Sequence, residues 1–434
     1  MSSMTPSIAM VAGEASGDLQ GALLAARLRE MIPSVRIWGV GGPKMRDAGV
    51  KVVHDSSSWS AIGAAEALKA VPRLLLAFFK LASDLKSDPP DLLVLIDFGV
   101  FNLKVGRYLR PNGAKVLYYF PPTSWYRGTS YEKLEGIADA VVTPFPWSAR
   151  TLEKQGFCAE FFGHPVLDSA KPSLSREDFC RQFGLEPQRQ LVGLLPGSRA
   201  HEVEHNLPAL VLAAGRLRES MPDLQFAVPL APSISVEAVA QRLRRIPWLE
   251  VGDLGLGSGS ASTEGSSRHL SLVQRIRTLS REDGFPEPAE PVRVRLLSGM
   301  AHDVLAHSRA AVVTSGTATL EAAVLGCPMV IIYRGTRLSA LEFKLRGRKI
   351  KFIGMPNIIA DELVCPELIH RAASPSRITE LMVELLADSP ERRAMLTRLA
   401  DVRAYLGSPG AVEKTAGVIL KLLGLHPSDR CSVN

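Results

Sequence analysis

Short apolar runs and longer stretches of helical period alternate along the chain almost from its start. SIAMVAG (7–13), VRIWGVGG (35–42), LLVLIDF (92–98), KVLYYF (115–120), ADAVVTPF (138–145) and AEFFGH (159–164) read as strands. Between them, DLQGALLAARLREMI (18–32), PKMRDAG (43–49), residues 64–86 and FNLKVGRYLRPNG (101–113) read as helices, their apolar residues recurring about every 3.6 positions. The run 92–96 is apolar at every position, as a strand covered on both faces of a parallel sheet must be. This alternation predicts βαβ units and a doubly wound sheet that binds ligands at the carboxyl ends of its strands.

A break follows at 164–185, with helix caps and prolines but no strand, and a second alternating series then begins. QLVGLLPGSR (190–199), LQFAVPLA (224–231), RAAVVTSG (309–316) and PMVIIYR (328–334) are its strands, with a helix over 203–220. The expectation is an α/β chain with two Rossmann-like domains of comparable size, 1–170 and 171–395, and a cleft between them. Helices over 396–434 are expected to pack back on the first domain or to exchange in a homodimer. The stretch 252–292 starts Gly/Ser-rich and ends Pro/Glu-rich, which predicts a flexible insertion carrying at most a short helix at HLSLVQRIRTL (269–279).

Composition narrows the function. Of 434 residues, 46% are hydrophobic and 22% charged, the profile of a globular protein. The formal charge of +7 suits an anionic substrate or an anionic membrane surface. No basic block interleaved with aromatics marks a nucleic-acid groove, so nucleic acid is not an expected partner. Five widely spaced cysteines without a CxxC pair fit reduced thiols better than disulfides or zinc. The N-terminal stretch lacks signal-peptide character and no uncharged apolar run reaches about 18 residues, so a cytoplasmic location is expected. The greasiest stretch, AVPRLLLAFFKLA (70–82), is interrupted by Arg73 and Lys80. As a helix it places Val71, Leu74, Leu75, Phe78, Phe79 and Ala82 on one broad face, either buried on the core or gripping lipid.

Four loops carry candidate chemistry. In VAGEASGDLQG (11–21) a strand enters a glycine-rich turn, and Ser16 or Asp18 can cap the helix that follows. It does not fit GxGxxG, so a dinucleotide is not indicated. GVGGPKM (39–45) is a turn of the same kind. In LLPGSRAHEVEHN (194–206) the Pro-Gly turn should expose N–H groups, while Ser198 and Arg199 suit phosphate oxygens. HEVEH (201–205) has the letters of a zinc-protease motif, yet it follows directly on a turn that should open a helix. No metal or cofactor is expected there. In VVTSGTATLEAAVLGCPMVIIYR (312–334) the small-residue turn at 315–318 and a helix start near Thr317 suit a diphosphate, with Glu321 one turn on, placed for a ribose diol. Finally, Asp97 ends a buried strand, where a carboxylate must be paired, hydrogen-bonded or at the rim of a cleft. It is a candidate general base or, more simply, a cap for the next helix.

In this order and at these separations, AGEASGD (12–18), GVGGPKM, the Asp97 strand, FGHPVLD (162–168), LLPGSR with its EV, GMAHDVL (299–305), SGTATLE (315–321) with GCPMVIIYR, and MPNIIA (355–360) resemble the lipid-A-disaccharide synthase family. That resemblance covers most of the chain. It implies a two-Rossmann (GT-B) fold and a metal-independent, inverting glycosyl transfer at the cytoplasmic face of the inner membrane. The donor would be UDP-2,3-diacylglucosamine, the acceptor 2,3-diacylglucosamine 1-phosphate, and the products a β-1,6-linked disaccharide and UDP. The resemblance assigns Asp97 as base or orienting group, with His164 as its rival. It gives Ser198, Arg199, Ser315, Gly316, Thr317, Ala318, Glu321 and Asn357 to the donor, and Gly13, Glu14, Ser16, Gly17 and Trp125 to the acceptor or its phosphate. Ile62, Leu75 and Phe78 would contact acyl chains; the cation-rich, partly apolar helical stretch 337–351 suits anionic head groups or an acceptor phosphate by its own composition.

The chain also departs from the family pattern. The usual IDAPDFN reads IDFGVFN, with Val100 in place of a second carboxylate, and the usual SPSVWAW reads FPPTSWYRG, with Pro121 and an added Arg127. His370 stands where glutamine is common. These changes cluster on the acceptor side. Three alternatives therefore stay open at this point: a related transferase with another acceptor, a UDP-sugar 2-epimerase, and a UDP-sugar-binding protein without turnover.

Overall fold

The computed structural model describes residues 5–56, 59, 64–110, 113–124, 127, 129–253, 269–285, 287–335 and 351–425. Ile62, Trp125 and the stretch 337–350 lie outside the described residues. Packing divides the chain into two units, one of Met1–Asp168 with Leu406–Asn434, the other Ser169–Tyr405.

In the first unit, β1 (Ser7–Ala12), β2 (Arg36–Gly41), β3 (Lys51–Asp55), β4 (Leu92–Ile96), β5 (Lys115–Tyr119), β6 (Ala140–Val142) and β7 (Ala159–Glu160) form a parallel sheet ordered 3-2-1-4-5-6-7. Helices α1 (Ala15–Met31), α2 (Pro43–Asp47), α3 (Ala64–Ser87) and α4 (Gly99–Tyr108) connect its first strands. The two-residue period of a strand explains why β4 needs five apolar residues in a row. Leu92, Val94 and Ile96 join Leu24 and Leu28 of α1 on one face, while Leu93 and Leu95 join Leu81 of α3 and Val105 of α4 on the other. Each such burial contributes roughly 1.5–3 kcal/mol. The C-terminal helix Ala411–Leu422 adds Ala416 and Ile419 to the α1 layer, and the N–H of Gly410 at its start donates to Asp168 Oδ1 at 2.9 Å. The chain re-enters this unit at Leu406, so the helix Pro390–Tyr405, which spans the expected division at 396, stays with the second unit.

The single broad apolar face expected of α3 is divided between core and solvent. Leu74, Ala77, Phe78, Leu81 and Leu85 turn toward the core, whereas Val71, Leu75, Leu76 and Phe79 are exposed. Among the described residues, no helix is long and apolar enough to cross a membrane.

The second unit repeats the plan with β8 (Leu191–Leu195), β9 (Gln225–Leu230), β10 (Leu249–Asp253), β11 (Val292–Ser298), β12 (Ala310–Thr314), β13 (Met329–Tyr333) and β14 (Glu367–Ile369), ordered 10-11-9-8-12-13-14 and again parallel. The expected flexible insertion is not uniform. A 14-residue helix, His269–Glu282, occupies part of it, and Leu272, Val273, Ile276 and Leu279 are buried. Asp283 then ties this segment to Arg216 at 2.9 Å and to the Ser376 hydroxyl at 2.8 Å. The apolar spacing of that helix outweighs the loop-like composition around it; residues 254–268 lie outside the described set.

Candidate active site

Strand order places β1 beside β4 in the first unit and β8 beside β12 in the second, and at both places successive strands begin to run the other way across the sheet. Loops that leave neighbouring strands in opposite directions open a crevice at such a switch point. Asp97 and the first glycine loop flank one of these points; the PGSR and SGTAT loops flank the other.

At the first point, Ala12 of β1 lies opposite Ile96 of β4. Asp97 then turns sharply, with φ 47°, and Phe98 follows at φ 50°. Two consecutive non-glycine residues in the left-handed region cost about 1–3 kcal/mol each unless their surroundings hold them there. Here they do. The Asp97 N–H donates to Tyr119 O at 3.0 Å, and the Asp97 carbonyl accepts from Asn102 Nδ2 at 2.9 Å and Tyr118 Oη at 3.1 Å. Asn102, fully buried in α4, also donates to Val11 and Ile96 carbonyls and so clamps the ends of β1 and β4 together. Gly13 makes room for this turn, because a Cβ there would lie 2.1 Å from the Phe98 ring. Phe98, not Asp97, is the N-cap of α4, and no side chain caps that helix. The capping alternative for Asp97 is thereby displaced.

The Asp97 carboxyl is held mostly out of solvent. Burial, then the charge of Glu14, raises its pKa from the usual carboxylate value to about 6, against a lowering hydrogen bond from the Phe98 N–H. Glu14 is the N-cap of α1 and no side chain caps that helix, so the first-turn N–H groups of Ala15, Ser16 and Gly17 have no side-chain acceptor there. Asp18 does not cap its own helix as expected. It is buried and instead accepts from Gly42, Lys44 and Met45 N–H groups at 2.7, 3.0 and 3.0 Å, capping α2 and locking the two glycine loops together. Gly17 packs α1 on the sheet, with a Cβ there 3.4 Å from that of Ala12.

His164 is not placed as a base. Burial lowers its pKa to about 3, its Nδ1 accepts the Val166 N–H at 3.1 Å, and its ring sits between Phe120 and Phe145. A neutral imidazole with that nitrogen occupied braces its loop.

In the second unit, Val313 of β12 lies opposite Leu195 of β8, and the Thr314 hydroxyl donates to Leu195 O at 2.9 Å. The N–H groups expected to lie open at the PGSR turn are in fact filled. Glu202 Oε2 accepts from Ser198 N at 2.9 Å and Arg199 N at 3.2 Å, as in a capping box, while its other oxygen pairs with Arg199 Nη1 at 3.2 Å. Glu202 is thereby committed to the loop, and His205 Nδ1 bonds the His201 carbonyl at 2.7 Å. What this loop offers a ligand is the Ser198 hydroxyl and the Arg199 guanidinium.

The SGTAT turn is the open one. Gly316 caps the helix Thr317–Val324 at φ 150°, a conformation L side chains rarely adopt, and no side chain caps this helix start. Gly316 and Thr317 are exposed and Ala318 half-buried. Thr317 and Ala318 stand at the first two helical positions, whose N–H groups have no partner within the helix. The turn is braced from behind: Ser315 Oγ donates to Ile353 O at 2.7 Å, and the Met355 N–H donates to Thr319 Oγ1 at 3.1 Å. Glu321, half-buried, lies 3.5 Å from His302 Nε2. Asn357 is fully buried and offers nothing to a donor. Its Oδ1 accepts from Val364 and Cys365, and its Nδ2 donates to Cys365 O and to Glu367 Oε1 at 2.7 Å. Glu367 in turn accepts from Ile353 and Gly354, so Asn357 supports the SGTAT turn at one remove.

Asn102, Tyr118, Thr319, Asn206 and His302 were not singled out from sequence. Asn206 links the ends of β8 and β13, its Nδ2 donating to Pro196 O at 3.1 Å and its Oδ1 accepting from Arg334 N at 2.9 Å. A short polar residue inside an otherwise apolar helix, such as Asn206 ahead of LPALVLAA, is the signal that points to such a brace.

Solved structures of the same architecture include a UDP complex of S. aureus MnaA, with TM-score 0.58 and 10% identity over 97% of this chain and 98% of that one. The calicheamicin glycosyltransferase CalG4 has TM-score 0.55 and 16% identity over 97% and 98% of the two chains. At such identities the likeness is one of fold, the two-sheet α/β class that glycosyltransferases share with sugar-nucleotide epimerases. The family is more specific. A model of lipid-A-disaccharide synthetase matches residues 8–246 and 267–408, and the chain belongs to that family of glycosyltransferases. Among its relatives, the lipid-A-disaccharide synthase of Trichlorobacter lovleyi is 37% identical over 96% of this chain and 97% of its own length. That of Geobacter sulfurreducens is 35% identical over the same shares. This relationship, which the fold alone does not provide, favours the transferase over the epimerase and binding-protein alternatives.

Proposed function

We propose that this chain transfers 2,3-diacylglucosamine from UDP to the 6-hydroxyl of 2,3-diacylglucosamine 1-phosphate, giving a β-1,6-linked disaccharide 1-phosphate and UDP. Asp97 takes the hydroxyl proton as the oxygen attacks the anomeric carbon from the face opposite the diphosphate. The C–O bond to the diphosphate breaks, and its electron pair leaves on UDP. The N–H groups of Thr317 and Ala318 and the Arg199 guanidinium take up that developing charge, with the Ser198 hydroxyl and Ser315 beside them. Glu321 receives the ribose hydroxyls, and the uncapped start of α1 around Glu14 and Ser16 faces the acceptor.

The observation that carries this reading is the state of Asp97. It sits on a strained turn braced by Asn102 and Tyr118, and its pKa is raised to about 6. A general base works best when its pKa lies near the operating pH. The exposed side of α3 supports docking on an anionic membrane, from whose inner-membrane cytoplasmic face both acylated sugars would be drawn. Leu76 is 63% and Phe79 66% exposed, with exposed Arg73 and Lys80 alongside. Leu75 belongs to that exposed stripe, while Phe78 packs edge-on against Phe101 in the core, so only the former is placed to meet acyl chains.

UDP release from UDP-2,3-diacylglucosamine, measured with and without the diacylglucosamine 1-phosphate acceptor, tests the proposal. Release that depends on the acceptor and collapses in Asp97→Asn supports it; UDP binding without acceptor-dependent release rejects it.

A further inference from the structure

At the end of the second sheet away from the PGSR and SGTAT loops, the starts of β9, β10 and β11 surround a cavity of about 330 Å³. That volume falls within the range of small-molecule sites. Arg189, Arg218, Arg293 and Arg295 line it together with three glutamates. The charges do not cancel evenly. Arg189 pairs with Glu186 at 2.9 Å and Arg293 with Glu250 at 3.0 Å. Arg218 reaches Glu290 only at 3.7 Å, and that glutamate side chain is 81% exposed.

Arg295 has no carboxylate partner among the described residues. One of its amino groups donates to Gly184 O at 3.0 Å, and its Nε is buried without a partner. Burial and then the neighbouring Arg293 pull its pKa below the ordinary arginine value, and the charge of Glu250, already paired with Arg293, offsets this only in part. Gly252, directly opposite Arg295 in the β10–β11 pairing, leaves the room this guanidinium occupies, since a Cβ there would stand 1.8 Å from Nη1. Leu185, Leu224 and Pro291 supply an apolar wall.

We propose that this cavity is a second ligand site, which binds a small phosphorylated molecule with its phosphate on Arg295 and Arg218 and its organic part against the apolar wall. Guanidinium forks match phosphate oxygens in shape and charge, and a phosphate dianion would supply the counter-charge that Arg295 lacks. The loosely held Glu290 can give way to it.

The test is calorimetric titration of the full chain, saturated with UDP, with glucose 6-phosphate and separately with inorganic phosphate. One further site is expected, weakened by about tenfold or more in Arg295→Gln and in Arg218→Gln, and unchanged in Arg199→Gln. The ester is expected to bind more tightly than inorganic phosphate, because only it reaches the apolar wall. Arg295→Lys guards against a folding defect: it keeps the charge but not the fork, and should retain weakened binding at an unchanged melting temperature. Absence of binding to the UDP-saturated chain overturns the proposal, as does binding that both glutamine variants leave intact. A preceding titration of the free chain with UDP reads the donor site by itself, so a failure there is distinguished from a failure at this one.

Discussion

Asp18 stands in the first turn of α1, yet its Oδ1 accepts the Gly42 N–H at 2.7 Å and so caps a different helix, the one that follows the second glycine loop. A single buried carboxylate with three N–H partners thus sets two loops against each other. Replacing it by alanine leaves two buried donors and one half-buried donor unpaired. Asp18→Ala is expected to lose roughly 2–4 kcal/mol of unfolding free energy in urea. Asp18→Asn, which keeps one acceptor, should lose less; equal stability of all three proteins would contradict the capping role.

Asp97 is expected to govern the pH dependence of turnover. With a pKa of about 6, kcat/KM for the transfer should fall about tenfold per pH unit below that value and level off above it. Asp97→Asn should reduce kcat by about 10²-fold or more and abolish this limb of the profile. A slope that persists in the variant would assign the titration to another group.

The same shift makes a prediction for stability with the opposite sign to the usual carboxylate. A folded pKa raised above the unfolded value means that the fold favours the protonated form, so this group's contribution is present at low pH and is lost as pH rises through about 6. The neutral Asp97→Asn should therefore melt higher than the parent at pH 7.5, and the gain should shrink toward pH 4. Thermal melts across that range check it.

Thr317 is the first residue of its helix, a position where proline is tolerated because the N–H there has no helical partner. Thr317→Pro deletes one proposed diphosphate donor while keeping the helix. KM for the UDP-sugar is expected to rise about tenfold, the loss of one charge-assisted hydrogen bond, at an almost unchanged melting temperature. An unchanged KM would remove this N–H from the donor site.

The exposed apolar stripe of α3 is expected to act at the membrane and not in the fold. Leu76→Glu with Phe79→Glu should abolish co-sedimentation with anionic phospholipid vesicles and leave the melting temperature within about 2 °C, because both side chains already face solvent. Continued vesicle binding by the double variant would move the docking surface elsewhere.

Much of the fold was legible because its signals are local. Every strand of the two alternating series named from sequence is present, since short apolar runs between helical stretches have few other ways to be buried, although β6 and β7 keep only three and two residues. The segment after β10 reads as flexible by composition except at 269–279, and there the expected short helix forms, three residues longer, with Leu272, Val273, Ile276 and Leu279 buried. The failures are equally physical. The resemblance gave Asn357 to the donor and His164 to catalysis, whereas here the amide of Asn357 is fully hydrogen-bonded and buried, and burial keeps His164 neutral with its Nδ1 taken by the Val166 N–H. Pairing of Glu202 with the PGSR amides could not be foreseen without the backbone geometry that brings a side chain three residues on back to the turn.

The sequence by itself determined the two parallel sheets, their glycine and small-residue turns at the strand ends, and the family, since each depends on residue type and spacing along the chain. Only the tertiary structure decided what those turns do. Which helix Asp18 caps, which phosphate-suited turn is open and which is filled, which side of α3 faces solvent, and how far the Asp97 proton is held all depend on neighbours distant in sequence. Burial, charge and hydrogen-bond supply at a given atom are properties of its surroundings, and folding assembles those surroundings from residues far apart in the chain, as when Asn102 closes on Val11 and Gly410 on Asp168.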